Sequence, residues 1–264
     1  GLAYAAMCAW LFLTQRSQIY FRTPPSVAPG ADALWLERGD LRVKVWVRER
    51  PGPRALLYFG GNAEDVAGSL PEIELTSPGW SLYLMNYRGY GGSGGMPTEQ
   101  AILDDALALA DHVRERHAQV AVMGRSLGSA VAVHVASERD VDRVALITPF
   151  DSFTSIGEAH FPLFPVRWLL RDRYDAASRA GRVRAPVLAL IAGEDEIIPR
   201  ASADALVAAF APGQVETVVL DGAAHNTASF APGYLTALRR FMQPEDAPQN
   251  SLRIPTPANQ VLPE

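Results

Sequence analysis

The sequence predicts an α/β domain with a mostly parallel sheet covered by helices on both faces. Three observations predict it. Apolar runs recur at residues 55–59, 80–87, 120–123, 144–148, 187–192 and 215–220, as expected of strands buried on both faces. Segments with apolar residues at helical spacing lie between them. The alternation is that of βαβ units, whose crossovers place helices on both sides of a sheet.

Taken in chain order, residues 2–13 (LAYAAMCAWLFL) form an unbroken apolar run. Three readings compete: the last part of a membrane anchor, the core of an uncleaved signal, or a packed N-terminal helix. The run favours the first two, because nothing polar interrupts it and Trp10 lies near its polar end. At ~1.5 Å per residue it reaches about 18 Å, short of the ~30 Å hydrocarbon core, so an anchor would be partial. Cys8 follows Ala-Ala-Met, a poor lipidation box, and no small-residue cleavage site follows. Residues 1–13 are therefore expected to be a partial anchor or signal, a single helix ending near Leu13. Arg16 and Arg22 behind it would place the domain in the cytoplasm.

Residues 14–33 are polar, carry Pro24, Pro25 and Pro29, and read as a linker. The domain spans 34–243. Residues 41–47 (LRVKVWV) alternate apolar and polar, a strand with one solvated face. In 98–117, Leu103, Ala106, Leu107, Ala110 and Val113 share a helix face, and Asp104, Asp105, Arg114 and Glu115 are expected on a solvated one. Residues 127–136 are apolar nearly all round and predict a buried helix; 201–210 and 234–242 are amphipathic. Residues 150–182 exceed a simple crossover and are rich in Phe, Leu and Trp. They predict a small cap segment, whose apolar content suits an acyl pocket. Residues 244–264 hold five prolines and few large apolar groups, a disordered tail.

Composition narrows the function. With 264 residues, 48% apolar and 20% charged, the chain can bury a sizeable core and is not a disordered protein. The 24 basic and 29 acidic residues leave a net charge of -5 and form no basic stripe, which argues against nucleic acid as a partner. One cysteine excludes an internal disulfide framework and a cysteine-based zinc site.

The chemistry centres on Gly124-Arg125-Ser126-Leu127-Gly128, set between a strand and an apolar helix. This G-x-S-x-G elbow lifts a serine hydroxyl clear of a sheet at a helix N-terminus. The pentapeptide also occurs at Gly91-Gly92-Ser93-Gly94-Gly95, but Met96-Pro97 follows there rather than a helix, so context selects Ser126. A serine nucleophile needs a base, and the base an orienting carboxylate, in the chain order Ser, Asp or Glu, His. Of five histidines, His112 and His117 are expected to face solvent, His134 to be a satisfied core residue and His160 to lie in an irregular segment. Only His225, in the loop after the last strand, has the right order and context. For the acid, Glu194, Asp195 and Glu196 cluster at a strand end; Gly193 before and Pro199 after favour Asp195, with Asp151 the rival. Acyl chemistry also needs oxyanion donors. The amide of Leu127 supplies one, and the loop Gly60-Gly61-Asn62-Ala63 the other, through Asn62 or alternatively Gly61.

These motifs together resemble the α/β-hydrolase superfamily. Over residues 17–243 the chain is similar to membrane-anchored serine hydrolases with a strand-(His-Gly-Asn-Ala) motif and a Tyr-Arg-Gly-Tyr-Gly-x-Ser motif. Here these read Tyr58-Phe59-Gly60-Gly61-Asn62-Ala63 and Tyr87-Arg88-Gly89-Tyr90-Gly91-Gly92-Ser93. The resemblance implies an oxyanion loop at Asn62 and a triad of Ser126, Asp195 and His225. Gly60 stands where the family usually has the histidine that helps hold that loop. The expectation is a serine esterase or thioesterase acting on a small-molecule or lipid-like acyl substrate, with no cofactor, no metal and a membrane tether. The alternatives are a peptidase of the same fold and a catalytically silent scaffold.

Overall fold

A computed structural model describes residues 1–243, so the expected tail at 244–264 lies outside the described residues. The strands are β1 (Asp32–Arg38), β2 (Leu41–Arg48), β3 (Arg54–Phe59), β4 (Ser81–Met85), β5 (Gln119–Arg125), β6 (Arg143–Ile147), β7 (Val187–Ala192) and β8 (Val215–Leu220). They form one sheet in the order β1-β2-β4-β3-β5-β6-β7-β8. β2 pairs antiparallel with β1 and β4, and every other neighbour is parallel. The mostly parallel α/β sheet read from the apolar runs is therefore observed, and seven strands lie within two residues of their expected ends. β1 is the additional one. It is an edge strand in which only Leu36 is buried, and its apolar stretch Ala33-Leu34-Trp35-Leu36 is not among the runs that predict strands.

The helices are α1 (Leu2–Ile19), α2 (Val66–Thr76), α3 (Glu99–Arg114), α4 (Leu127–Glu138), α5 (Phe153–His160), α6 (Val166–Leu169), α7 (Ala177–Ala180), α8 (Arg200–Ala209) and α9 (Tyr234–Met242). Their apolar faces divide into two layers. Residues of α3, α4, α7 and α8 share a core on one side of the sheet, and those of α2 and α9 a core on the other. α3 is capped by Thr98, whose hydroxyl accepts from Ala101 N at 3.2 Å. Its buried stripe includes Asp105, contrary to the solvated face expected for it. Asp105 is 0% exposed and receives Arg88 at 2.6 and 2.8 Å and Arg38 at 2.8 Å. Two guanidinium partners make that burial tolerable.

α1 runs six residues past Leu13 and takes in part of the expected linker. Among the described residues, no helix is long and apolar enough to cross a membrane, so the expected spanning anchor has no support here. α1 packs along the cap through polar contacts. Arg16 pairs with Asp172 at 2.8 and 2.9 Å, Gln15 donates to Leu169 O at 2.9 Å, and Tyr4 donates to Leu163 O at 2.8 Å. Of the expected cap segment, α5 and α6 bury no residue fully and their connection exposes Leu163, as α6 does Trp168, whereas α7 packs with α4 and α8 in the core layer.

Three histidines depart from expectation. His160, expected in an irregular segment, closes α5. His117 is buried, its Nε2 3.0 Å from the Tyr83 hydroxyl. His134 on α4 leaves Nδ1 without a hydrogen-bond partner among the described residues. Burial, reinforced by the Arg179 charge, pulls its pKa down to about 4. The unfolded value is ~6.5, so below that pH the unfolded chain binds the extra proton. Stability is therefore expected to fall as pH drops from about 6.5 to about 4. Denaturant melts of wild type and His134→Gln across that range test this: the variant should lack the slope.

Candidate active site

The three sequence-selected side chains converge at the carboxyl ends of parallel strands. Ser126 follows β5, Asp195 follows β7, and His225 opens a 3-10 segment (His225–Phe230) after β8. Ser126 has φ 50 and ψ -117, a strained conformation for a residue with a Cβ. The flanking glycines permit it. A Cβ on Gly124 would overlap the Gly128 carbonyl, and one on Gly128 the Phe59 carbonyl. Ser126 N–H donates to Ile147 O at 2.8 Å and anchors the turn to β6.

His225 Nε2 lies 3.0 Å from Ser126 Oγ, and its Nδ1 lies 2.8 Å from Asp195 Oδ2. Both His225 and Asp195 side chains are under a tenth exposed. Asp195 also accepts from the amides of Ile197 at 2.9 Å and Ile198 at 2.7 Å. Burial alone would raise its pKa, but the His225 contact and the two amides outweigh that and hold the carboxyl below its usual range. An ionised Asp195 only accepts, so Nδ1 carries the proton and Nε2 is left to accept from the serine hydroxyl. Glu196, expected as a solvated turn charge, accepts from His225 N at 3.1 Å and fixes the histidine loop.

The rivals are engaged elsewhere. Asp151 accepts from the hydroxyls of Ser155 and Ser202. Ser93 donates to Asn86 O at 2.9 Å and accepts from Lys44 N at 2.8 Å, which fixes the glycine-rich turn.

The amides of Leu127 and Asn62 have no acceptor among the described residues, whereas Gly61 N–H donates to Glu64 Oε2 at 2.6 Å. Of the two loop amides weighed from sequence, Gly61 is thus already occupied. Glu64 is the residue that sequence reading missed. Its other oxygen accepts from Tyr58 and Ser69 hydroxyls, both at 2.6 Å. At Gly60, a Cβ would come within 2.7 Å of Val66 Cγ1 and 3.1 Å of Glu64 Cδ. Glu64 occupies the space beside Gly60 and ties the loop through the Gly61 amide.

The Tyr-Arg-Gly-Tyr motif buttresses the same loop. Tyr87 donates to Gly60 O at 2.7 Å, Tyr90 donates to Asn62 Oδ1 at 2.8 Å, and Arg88 anchors the motif on Asp105. A cleft of about 530 Å³ opens over Ser126 and His225, walled by Phe21, Asn62, Ile197 and Asn226. No group of His, Cys, Asp and Glu among the described residues is arranged to hold a metal ion.

A family model described as serine aminopeptidase, S33, matches residues 73–169, which include Ser126. The uncharacterized protein Rv2307c of Mycobacterium tuberculosis is 34% identical over 263 residues, 92% of each chain. The α/β hydrolase domain-containing protein WAV2 of Arabidopsis thaliana is 29% identical over 210 residues, 69% of this chain and 68% of that one. Among solved structures, the Pyrococcus furiosus esterase Pf2001 superposes with a TM-score of 0.67 at 17% identity, covering 84% of this chain and 98% of that one. That last likeness is one of fold. With the sheet order, the elbow and these relatives together, the chain belongs to the α/β-hydrolase superfamily.

Proposed function

We propose that the protein is a serine hydrolase that cleaves carboxylic esters or thioesters through an acyl-enzyme. The observation that carries this is the unbroken path from Ser126 Oγ through the His225 ring to Asp195, with links of 3.0 and 2.8 Å. Such a path is the geometry of nucleophile, base and orienting acid. As the Oγ–carbonyl carbon bond forms, His225 Nε2 takes the hydroxyl proton and the oxyanion accepts from the Leu127 and Asn62 amides. Collapse of that intermediate breaks the bond to the leaving oxygen or sulfur, and His225 returns the proton to it. Water then repeats the sequence, losing its proton to His225, and releases the acid and free Ser126. The N-terminus of α4 adds its dipole at the developing charge. An intact path of this kind supports an enzyme over a binding scaffold.

The second reading, a peptidase, is favoured by the description of the matching family model. Turnover of p-nitrophenyl butanoate against leucine p-nitroanilide separates them. Ester cleavage in excess is the expected result, and preference for the anilide would overturn the ester assignment.

Glu64 is expected to position the oxyanion loop. Glu64→Gln keeps the shape but turns an amide NH₂ toward one of three donors. kcat should fall by about tenfold, less than the ~10²–10³ of outright donor loss, with KM nearly unchanged. Steady-state kinetics normalised to the active-site concentration check this, since a merely structural role would lower the active fraction and leave kcat per active site unchanged.

A further inference from the structure

A second cavity, of about 350 Å³, lies between α1 and the cap. Leu11 and Ile19 of α1 form one wall, and Phe153, Ile156, Phe164 and Leu169 the other. Its polar lining side chains are Gln15 and Gln18, and both amide nitrogens are already engaged. Gln15 donates to Leu169 O at 2.9 Å and accepts from Arg171 N at 2.8 Å; Gln18 donates to Thr14 Oγ1 at 2.6 Å. Nothing in the lining calls for a polar ligand, and a polar group buried there would go unpaired. The volume falls within the ~300–1,000 Å³ of small-molecule sites. From Leu11 to Ile19 the wall extends about 12 Å at ~1.5 Å per residue, which describes a long, narrow occupant.

The cavity and the cleft over Ser126 share no lining residue, but their walls are tied together at two places. Ile19 lines the cavity and Phe21 lines the cleft. The Asn62 side chain grips the backbone on both sides of Tyr20: Nδ2 donates to Ile19 O, and Oδ1 accepts from Phe21 N at 3.1 Å. On the cap side, Phe161 lines the cavity, and the preceding His160 donates from Nε2 to the carbonyl of Ile197, a cleft residue, at 2.8 Å.

We propose that this cavity is the seat of a medium-length fatty acyl chain, so that α1 is a wall of the substrate site. The proposal deepens the serine hydrolase reading and rests on it for the chemistry, though not for the binding. The carbonyl carbon sits at Ser126 Oγ, its oxygen on the Asn62 and Leu127 amides, and the chain runs past Phe21 between α1 and the cap. Asn62 then both offers an oxyanion amide and holds the cavity wall. Each methylene that enters the cavity raises kcat/KM by about fourfold.

The test compares p-nitrophenyl butanoate and octanoate on wild type, Leu11→Trp and Ile156→Trp, which fill the cavity from opposite walls. Wild type should favour octanoate by at least about tenfold, and each variant should erase that preference by lowering kcat/KM for octanoate. In parallel, decanoate binding to Ser126→Ala is measured by calorimetry, and Leu11→Trp in that background should weaken it about tenfold or more. A flat chain-length profile, or a preference that survives both tryptophans, overturns the acyl site. Decanoate binding without turnover of any ester would instead sink the hydrolase reading and leave the cavity assignment standing.

Discussion

Ser126→Ala is expected to lower ester turnover by about five to six orders of magnitude while leaving the fold intact. Among the described residues, the Ser126 hydroxyl contacts only His225 Nε2, so its removal breaks no structural hydrogen bond. Alanine keeps the Cβ and therefore the same strain at φ 50. The melting temperature should stay within a few degrees of wild type, since buried contacts are untouched. Loss of turnover with an unchanged melt assigns the hydroxyl to chemistry. Retention of turnover above about a tenth of wild type would mean that the nucleophile lies elsewhere.

Asp195→Asn is expected to cost about four orders of magnitude in kcat, again with the fold retained. An asparagine can present its NH₂ to the His225 ring, so the proton settles on Nε2, where it blocks acceptance from Ser126. The carboxylate is held below its usual pKa range by His225 and the Ile197 and Ile198 amides. A lowered carboxyl pKa contributes stability that is complete above the unfolded value of ~3.9 and is lost as pH falls through the folded one. Asp195→Asn should therefore flatten acid unfolding below about pH 4 as well as silence the enzyme. Asp151→Asn gives the opposite pattern. It weakens acceptance from Ser155 and Ser202, at a cost of about 1–2 kcal/mol in stability, and leaves kcat near wild type. Kinetics and urea melts of the two variants, side by side, separate an orienting acid from a structural one.

What sequence made legible is what local pattern encodes. The buried strands read directly as apolar runs, because parallel strands covered on both faces have no polar side to interrupt them. Ser126 was separable from Ser93 because one pentapeptide opens a helix and the other does not. Asp195 and His225 are picked out by their places at strand ends, and the structure brings both side chains together with Ser126. What sequence hid depends on partners far along the chain. Asp105 reads as a surface charge until Arg38 and Arg88 arrive from other elements. Gln15 and Arg16 read as the exit from an apolar run, yet they bond the cap more than 150 residues away, which is why α1 continues to Ile19. Glu64 lies only four residues from Gly60, but its role depends on the curl of the loop, which brings three donors onto one carboxylate.

The most direct test of the account is labelling by a fluorophosphonate, which reacts covalently with an activated serine and not with an ordinary one. Intact wild-type protein, treated with the probe and analysed by peptide mass spectrometry, should carry one adduct on Ser126. The adduct should be absent from Ser126→Ala and much slower to form in His225→Ala, because the base that activates the hydroxyl is gone. A folded wild type that stays unlabelled, or an adduct on Ser93 or any other serine in place of Ser126, would contradict it.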